Sequence, residues 1–153
     1  MLKGIPDIIS PELLKILCEM GHGDCIVLAD GNFPAQSIGK GALVVRADGH
    51  GVTELLDAIL KIFPLDTYVE HPVQLMQAEP QDNPTQPIWS EIESVIAAHD
   101  VRGKKAIGFL ERFAFYESSR NTYCIVATGE RATYANVILK KGVILKNSPD
   151  SNL

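Results

Sequence analysis

The 153-residue chain is 46% hydrophobic and 22% charged, with mean hydropathy near zero, which suits one domain over residues 1–153 whose core closes without disulfide or metal staples. Fourteen Lys and Arg against nineteen Asp and Glu leave a formal charge of −5, so no nucleic-acid partner and no anionic membrane surface is expected. No apolar run reaches the roughly eighteen residues of a membrane span, and Pro6 and Asp7 interrupt the N-terminus where a signal peptide needs an apolar stretch, which points to the cytoplasm.

Ser10-Pro11-Glu12 opens a helix, with Ser as cap, Pro in the first turn and Glu at the positive end of the dipole. Leu13, Leu14, Leu17 and Met20 continue at helical spacing, and Gly21 offers a left-handed stop, giving a helix over 11–20. Cys25 to Ala29 is a short apolar run that reads as a buried strand, closed by Asp30-Gly31-Asn32. A second strand covers 42–46 and turns through Asp48-Gly49-His50-Gly51 into a helix over 52–63, ended by Pro64.

Residues 72–76 form a candidate strand. The stretch 77–87 carries three prolines and no apolar period, and reads as a surface excursion. Ile88, Trp89, Ile92, Val95 and Ile96 mark a further amphipathic helix, followed by a strand near 105–110, a helix from Arg112, and a strongly β-forming strand over 123–128. Ala135 to Leu145 supplies a last strand or a hairpin around Lys140-Lys141-Gly142. Strands alternating with helices imply a layered α/β fold.

Cys18, Cys25 and Cys124 make an odd count with no CxxC, which suits reduced, packed thiols. Four histidines, at 22, 50, 71 and 99, and scattered carboxylates do not form a metal signature. Neither Gly39-Lys40-Gly41 nor the 48–51 turn matches a phosphate-binding loop, and there is no nucleophile elbow.

The polar residues that stand out lie at the ends of apolar runs: His22 and Asp24 before the first strand, Asp30 and Asn32 after it, Asp48 and His50 after the second. In α/β sheets ligand sites gather outside the carboxyl ends of strands, so Asp30 and Asp48 are expected along one edge. His22 lies before the strand and reaches that edge only by another route, such as from a neighbouring subunit. Between two glycines past a helix terminus, it reads either as a surface cap residue or as a general acid or base. Phe113, Phe115 and Tyr123 read as core, whereas rings beside Arg112, Tyr134 and Asn136 offer the stacking faces and forked hydrogen bonds that a polyhydroxylated ligand needs.

Ile9 to Leu14, Met20-Gly21-His22-Gly23-Asp24, Asn32 to Ala35, Arg46 to Gly49, Arg112 to Glu117, Thr128 to Ala132 and the 138–143 tail together resemble the RbsD/FucU family of sugar mutarotases from end to end. The resemblance implies a mixed sheet covered by helices. It also implies a cofactor-free cytoplasmic isomerase that interconverts the α and β anomers of a free monosaccharide, as a homo-oligomer with sites near subunit contacts. Within the family the likeness points to L-fucose, with a pyranase acting on ribose, or a monosaccharide-binding protein without turnover, as the alternatives. Carried over by position, His22 matches the family's catalytic histidine, and Asp30, Arg112, Tyr134 and Asn136 match sugar-binding positions; Asp30 is further expected to act in catalysis as the hydrogen-bonding partner or complementary base of His22. Two positions depart from the family pattern: Ala135 stands where glycine is usual, and Gly31-Asn32 replaces an Ala-His pair. A methyl at 135 is expected to narrow the backbone approach to the sugar or to force a different backbone angle.

Overall fold

Residues 2–146 are described by a computed structural model; Met1 and residues 147–153, part of the expected 1–153 domain, lie outside the described residues. In chain order the elements are α1 (Pro11–Glu19), β1 (Cys25–Ala29), α2 (Ala35–Ile38), β2 (Leu43–Ala47), α3 (Val52–Leu60), β3 (Val73–Met76), α4 (Pro87–His99), β4 (Ile107–Leu110), α5 (Arg112–Arg120), β5 (Cys124–Thr128) and β6 (Val137–Lys140). Short 3₁₀ turns, Gly39–Gly41 and Gly103–Ala106, precede β2 and β4.

The six strands form one mixed sheet in the order β2-β5-β1-β6-β3-β4. Strand β6 runs antiparallel to both neighbours, β1 and β3, while the pairs β1–β5, β2–β5 and β3–β4 are parallel. Five strands therefore end along one edge of the sheet, where β6 begins.

Side-chain alternation sets the layers. Ile26 and Leu28 of β1, Cys124 and Val126 of β5, and Val137 and Leu139 of β6 pack into one cluster with α1, α3 and α4. Val27, Ala29, Ile125, Ala127 and Ile138 face the other way, against α2 and Phe115 of α5. Both faces are covered, which is why the central strands are apolar throughout instead of alternating with polar residues. Among the described residues no helix is long and apolar enough to cross a membrane.

Several expectations are corrected. Helix α1 begins as expected, with Ser10 Oγ accepting the Leu13 N–H at 3.1 Å, but the left-handed glycine is Gly23, φ 88°, and not Gly21. The carbonyls of Leu17 and Met20 at the α1 terminus instead accept the Lys141 ammonium, at 2.7 and 2.6 Å. Helix α3 stops at Leu60, short of Phe63, which is nevertheless buried. No hairpin forms around residues 140–142: Lys141 bridges to Leu65, and Gly142 N–H donates to the Pro64 carbonyl at 2.8 Å. Cys124 is packed, its thiol pushed up by burial to about 12, Cys25 is half-buried, and Cys18 is exposed. Phe115 is core as expected, whereas Phe113 is 64% exposed and Tyr123 is half-buried.

Candidate functional site

At the edge where the parallel strands end, a cavity of about 450 Å³ gathers residues from five separate stretches of the chain. Asp30 follows β1, Met76 closes β3, Arg112 and Tyr116 stand on α5, and Tyr134 and Asn136 lead into β6.

Asp30 is 5% exposed and is held by a reciprocal pair of bonds. Its N–H donates to Asn136 Oδ1 at 2.9 Å, and Asn136 Nδ2 donates back to Asp30 Oδ2 at 2.8 Å. The Asn32 N–H adds a third bond, to Oδ1, at 3.0 Å. Burial raises the carboxyl above its ordinary range, outweighing the donors of Asn32, Asn136, Phe33 and Ala135 that favour the ion. The result is a carboxylate with more than the usual appetite for a proton, open to the cavity.

Arg112 is placed by the start of α5, where Glu111 caps the helix by accepting the N–H groups of Phe113 and Ala114 at 3.0 and 3.2 Å. Its Nε lies 2.9 Å from Glu79 Oε1 as a charge contact, off the line of a hydrogen bond, and its guanidinium sits over the Phe113 ring, 4.6 Å from the centroid. Phe33 meets Phe115 and Tyr116 edge-on, at 6.1 and 5.5 Å, and gives the cavity a rigid aromatic wall. The chain turns at Tyr134, whose φ of 58° makes it the one non-glycine residue with positive φ among those described.

His22 lies elsewhere. It precedes β1 as Asp30 follows it, so the length of the strand alone separates them by roughly 15 Å. At that opposite edge His22 Nε2 is 3.3 Å from Oδ1 of Asp66, a carboxylate only 2% exposed, and its ring tilts over Tyr68 at 5.4 Å between centroids. Burial works to raise Asp66, but the Tyr68 N–H, the His22 ring and Lys140 together hold it below the usual carboxylate range. Arg102 braces this turn by donating to the Asp66 and Val69 carbonyls at 3.0 and 3.1 Å. Asp24 accepts the Gly21 N–H at 2.7 Å and so closes the loop that carries His22.

Of the residues marked by sequence, the structure brings Asp30, Asn32, Arg112, Tyr116, Tyr134 and Asn136 to one cavity. Asp48 shares the edge but is paired with Arg46 on the outer strand, two strands from Asp30. His50 is paired with Glu54 on α3, 3.2 Å away. Sequence reasoning missed Asp66, Met76 and the loop residues Asp82, Asn83 and Gln86, which line the cavity or support His22. An acidic residue within the 77–87 excursion was the one available signal for Asp82.

A family profile described as the RbsD / FucU transport protein family matches residues 3–144. The chain belongs to the RbsD/FucU family. Among its members, the fucose mutarotase of Homo sapiens is 51% identical over 151 residues, covering 95% of this chain and 96% of its own. The crystal structure of FucU from Bifidobacterium longum superposes with a TM-score of 0.91 at 63% identity, over 94% of this chain and all of that one. The fucose mutarotase of Streptococcus pneumoniae, solved in complex with L-fucose, gives 0.87 at 49% identity with the same coverage. The RbsD/FucU fold thus has the mixed sheet and helical layers described above. The Ala135 methyl is fully buried, and the positive φ in this turn belongs to Tyr134.

Proposed function

We propose that this protein is a fucose mutarotase, an isomerase that opens the hemiacetal ring of L-fucose and recloses it on the other face of the anomeric carbon. The observation that carries the reading is its 49% identity, across essentially the whole chain, to a structure of the same fold determined with L-fucose bound. The chemistry asks little beyond two positioned proton-transfer groups. One protonates the ring oxygen while the other takes the proton of the anomeric hydroxyl, and on reclosure the roles reverse, so neither group is left in the wrong state.

Asp30 is suited to the acceptor role by its raised proton affinity and its place in the cavity. His22 is the proton donor, oriented by Asp66 behind it and Tyr68 beside it. Since the two lie at opposite edges of the sheet, His22 serves the cavity of a second copy, and the working form is a homo-oligomer in the cytoplasm with sites at subunit contacts. Arg112, Tyr134 and Asn136 fix the sugar between the Phe33 wall and the β6 turn. No cofactor enters these steps.

Magnetisation-transfer NMR between the α and β anomeric protons of L-fucose tests the reading. Protein-dependent exchange that disappears in folded His22→Gln is the expected result. Saturable fucose binding without exchange would point to a binding protein, and faster interconversion of ribose forms than of fucose anomers would move the substrate to ribose.

A further inference from the structure

The connection from β3 to α4, residues 77–86, is tied into the site at three points. The Tyr134 phenol donates its proton to the Asp82 carboxylate and accepts the Glu79 N–H, the latter at 3.2 Å. The Glu79 carboxylate stands 2.9 Å from Arg112 Nε. Just beyond the segment, the Trp89 indole N–H donates to the Tyr134 carbonyl at 3.0 Å. Tyr134 itself occupies a left-handed backbone state, which a bulky residue holds only where its surroundings over-determine it.

These contacts change what Tyr134 can offer a ligand. A phenol gives one proton, and here that proton goes to Asp82 while the oxygen takes the Glu79 N–H, so its hydrogen bonds in both directions belong to the segment. What remains for the cavity is the ring, an apolar face for the C–H side of a sugar. Asp82, Asn83 and Gln86 line the same cavity as Asp30, so the segment is its outer polar wall.

We infer that Asp82 is a positioning residue, latching Tyr134 as Glu79 holds Arg112, and that the latched 77–86 segment is the wall that discriminates among monosaccharides by the substituent facing it. This rests on the reading of the cavity as the sugar site. Asp82 is exposed, so the latch can be cut without opening the core.

The kinetic test compares Asp82→Ala, Asp82→Asn, Tyr134→Phe and the Asp82→Ala/Tyr134→Phe double variant on L-fucose and on L-galactose, which adds one hydroxyl at C6. Asp82→Ala is expected to raise KM for L-fucose about five- to tenfold with kcat within about twofold, and to shrink the kcat/KM preference for fucose by a similar factor. Asp82→Asn, which keeps an acceptor, recovers part of both effects. Tyr134→Phe matches Asp82→Ala, and the double variant is no worse than either. Additive losses would show that the Tyr134 hydroxyl binds sugar directly and would overturn the latch.

Amide hydrogen exchange without sugar gives a second readout, with residues 77–86 exchanging faster in each single variant. Unchanged protection there would also overturn the latch. Wild-type protein that exchanges no anomers would instead overturn the sugar reading and the selective wall with it, a result distinct from failure of the latch.

Discussion

Asp30 shows how one residue acquires chemistry from its surroundings. Its position after a strand follows from the sequence, because the carboxyl ends of such strands lie where sites collect, whereas its burial does not, since the sequence places it in a polar loop. Its partner Asn136 is 106 residues away, and only the antiparallel entry of β6 beside β1 brings the two together. Asp66 was illegible for the same reason: the two residues lie 44 apart, and no local pattern links that carboxylate to His22. Because the folded protein raises Asp30, ionising it opposes folding. Its contribution to stability is full below the unfolded carboxylate value of about 4 and is lost as pH rises through the higher folded value. On the proposed mechanism catalysis has the opposite sign, since the acceptor must be ionised. The acid limb of kcat/KM for fucose anomer exchange is therefore expected at a pH above the ordinary carboxylate range. Asn136→Ala removes a donor that favours the ion and should move that limb further up, whereas a limb that stays in place would remove Asp30 from the proton-acceptor role.

At the scale of elements, strongly patterned segments were legible and irregular ones were not. Strand β1 matches its apolar run at both ends, bounded by Asp24 before it and by the hydrogen-bonded Asp30 after it. The four-residue α2 has too few positions to show a period, and α5 buries only Phe115 and Ser119, too narrow a face for its pattern to separate a core Phe115 from an exposed Phe113. Helix α1 ends where its pattern ends, but its last carbonyls are met by a side chain distant in sequence and not by a left-handed turn at Gly21. Lys141 places its ammonium on the last carbonyls of α1, while its backbone accepts the Gly23 N–H and donates to the Asp24 carbonyl at the end of the turn. Burial lowers its proton affinity by taking the ammonium partly out of water. Lys141→Met keeps the length of the stem and removes the charge, leaving two carbonyls without their donor. The loss should be about 1–3 kcal/mol in urea denaturation. The loop over residues 20–24 should lose amide protection before the sheet does, and equal protection in variant and wild type would show that backbone pairing alone holds the His22 loop.

For the whole molecule the decisive fact is directional. Strand β1 has a histidine with its carboxylate support at one end and the cavity of Asp30 at the other, and a rigid sheet cannot fold the two together. On the proposed mechanism each chain presents two half-sites facing opposite ways, and a heterologous contact that seats the His22 edge of one copy on the Asp30 edge of the next would complete a site at every junction. This arrangement makes a sharp demand on mixtures. His22→Gln retains an intact cavity and Asp30→Asn retains an intact histidine, so neither variant is active alone, yet their interface combines a working donor with a working acceptor. Random assembly of equal amounts, after dissociation and reassociation together, gives a wild-type pair at about one junction in four, so anomer exchange should return to about a quarter of the wild-type rate. Mixing without subunit exchange should give none. If co-assembled oligomers of the two variants stay inactive while both remain folded and associated, His22 and Asp30 do not meet across a subunit contact, and the proton donor must be sought among residues of the cavity itself.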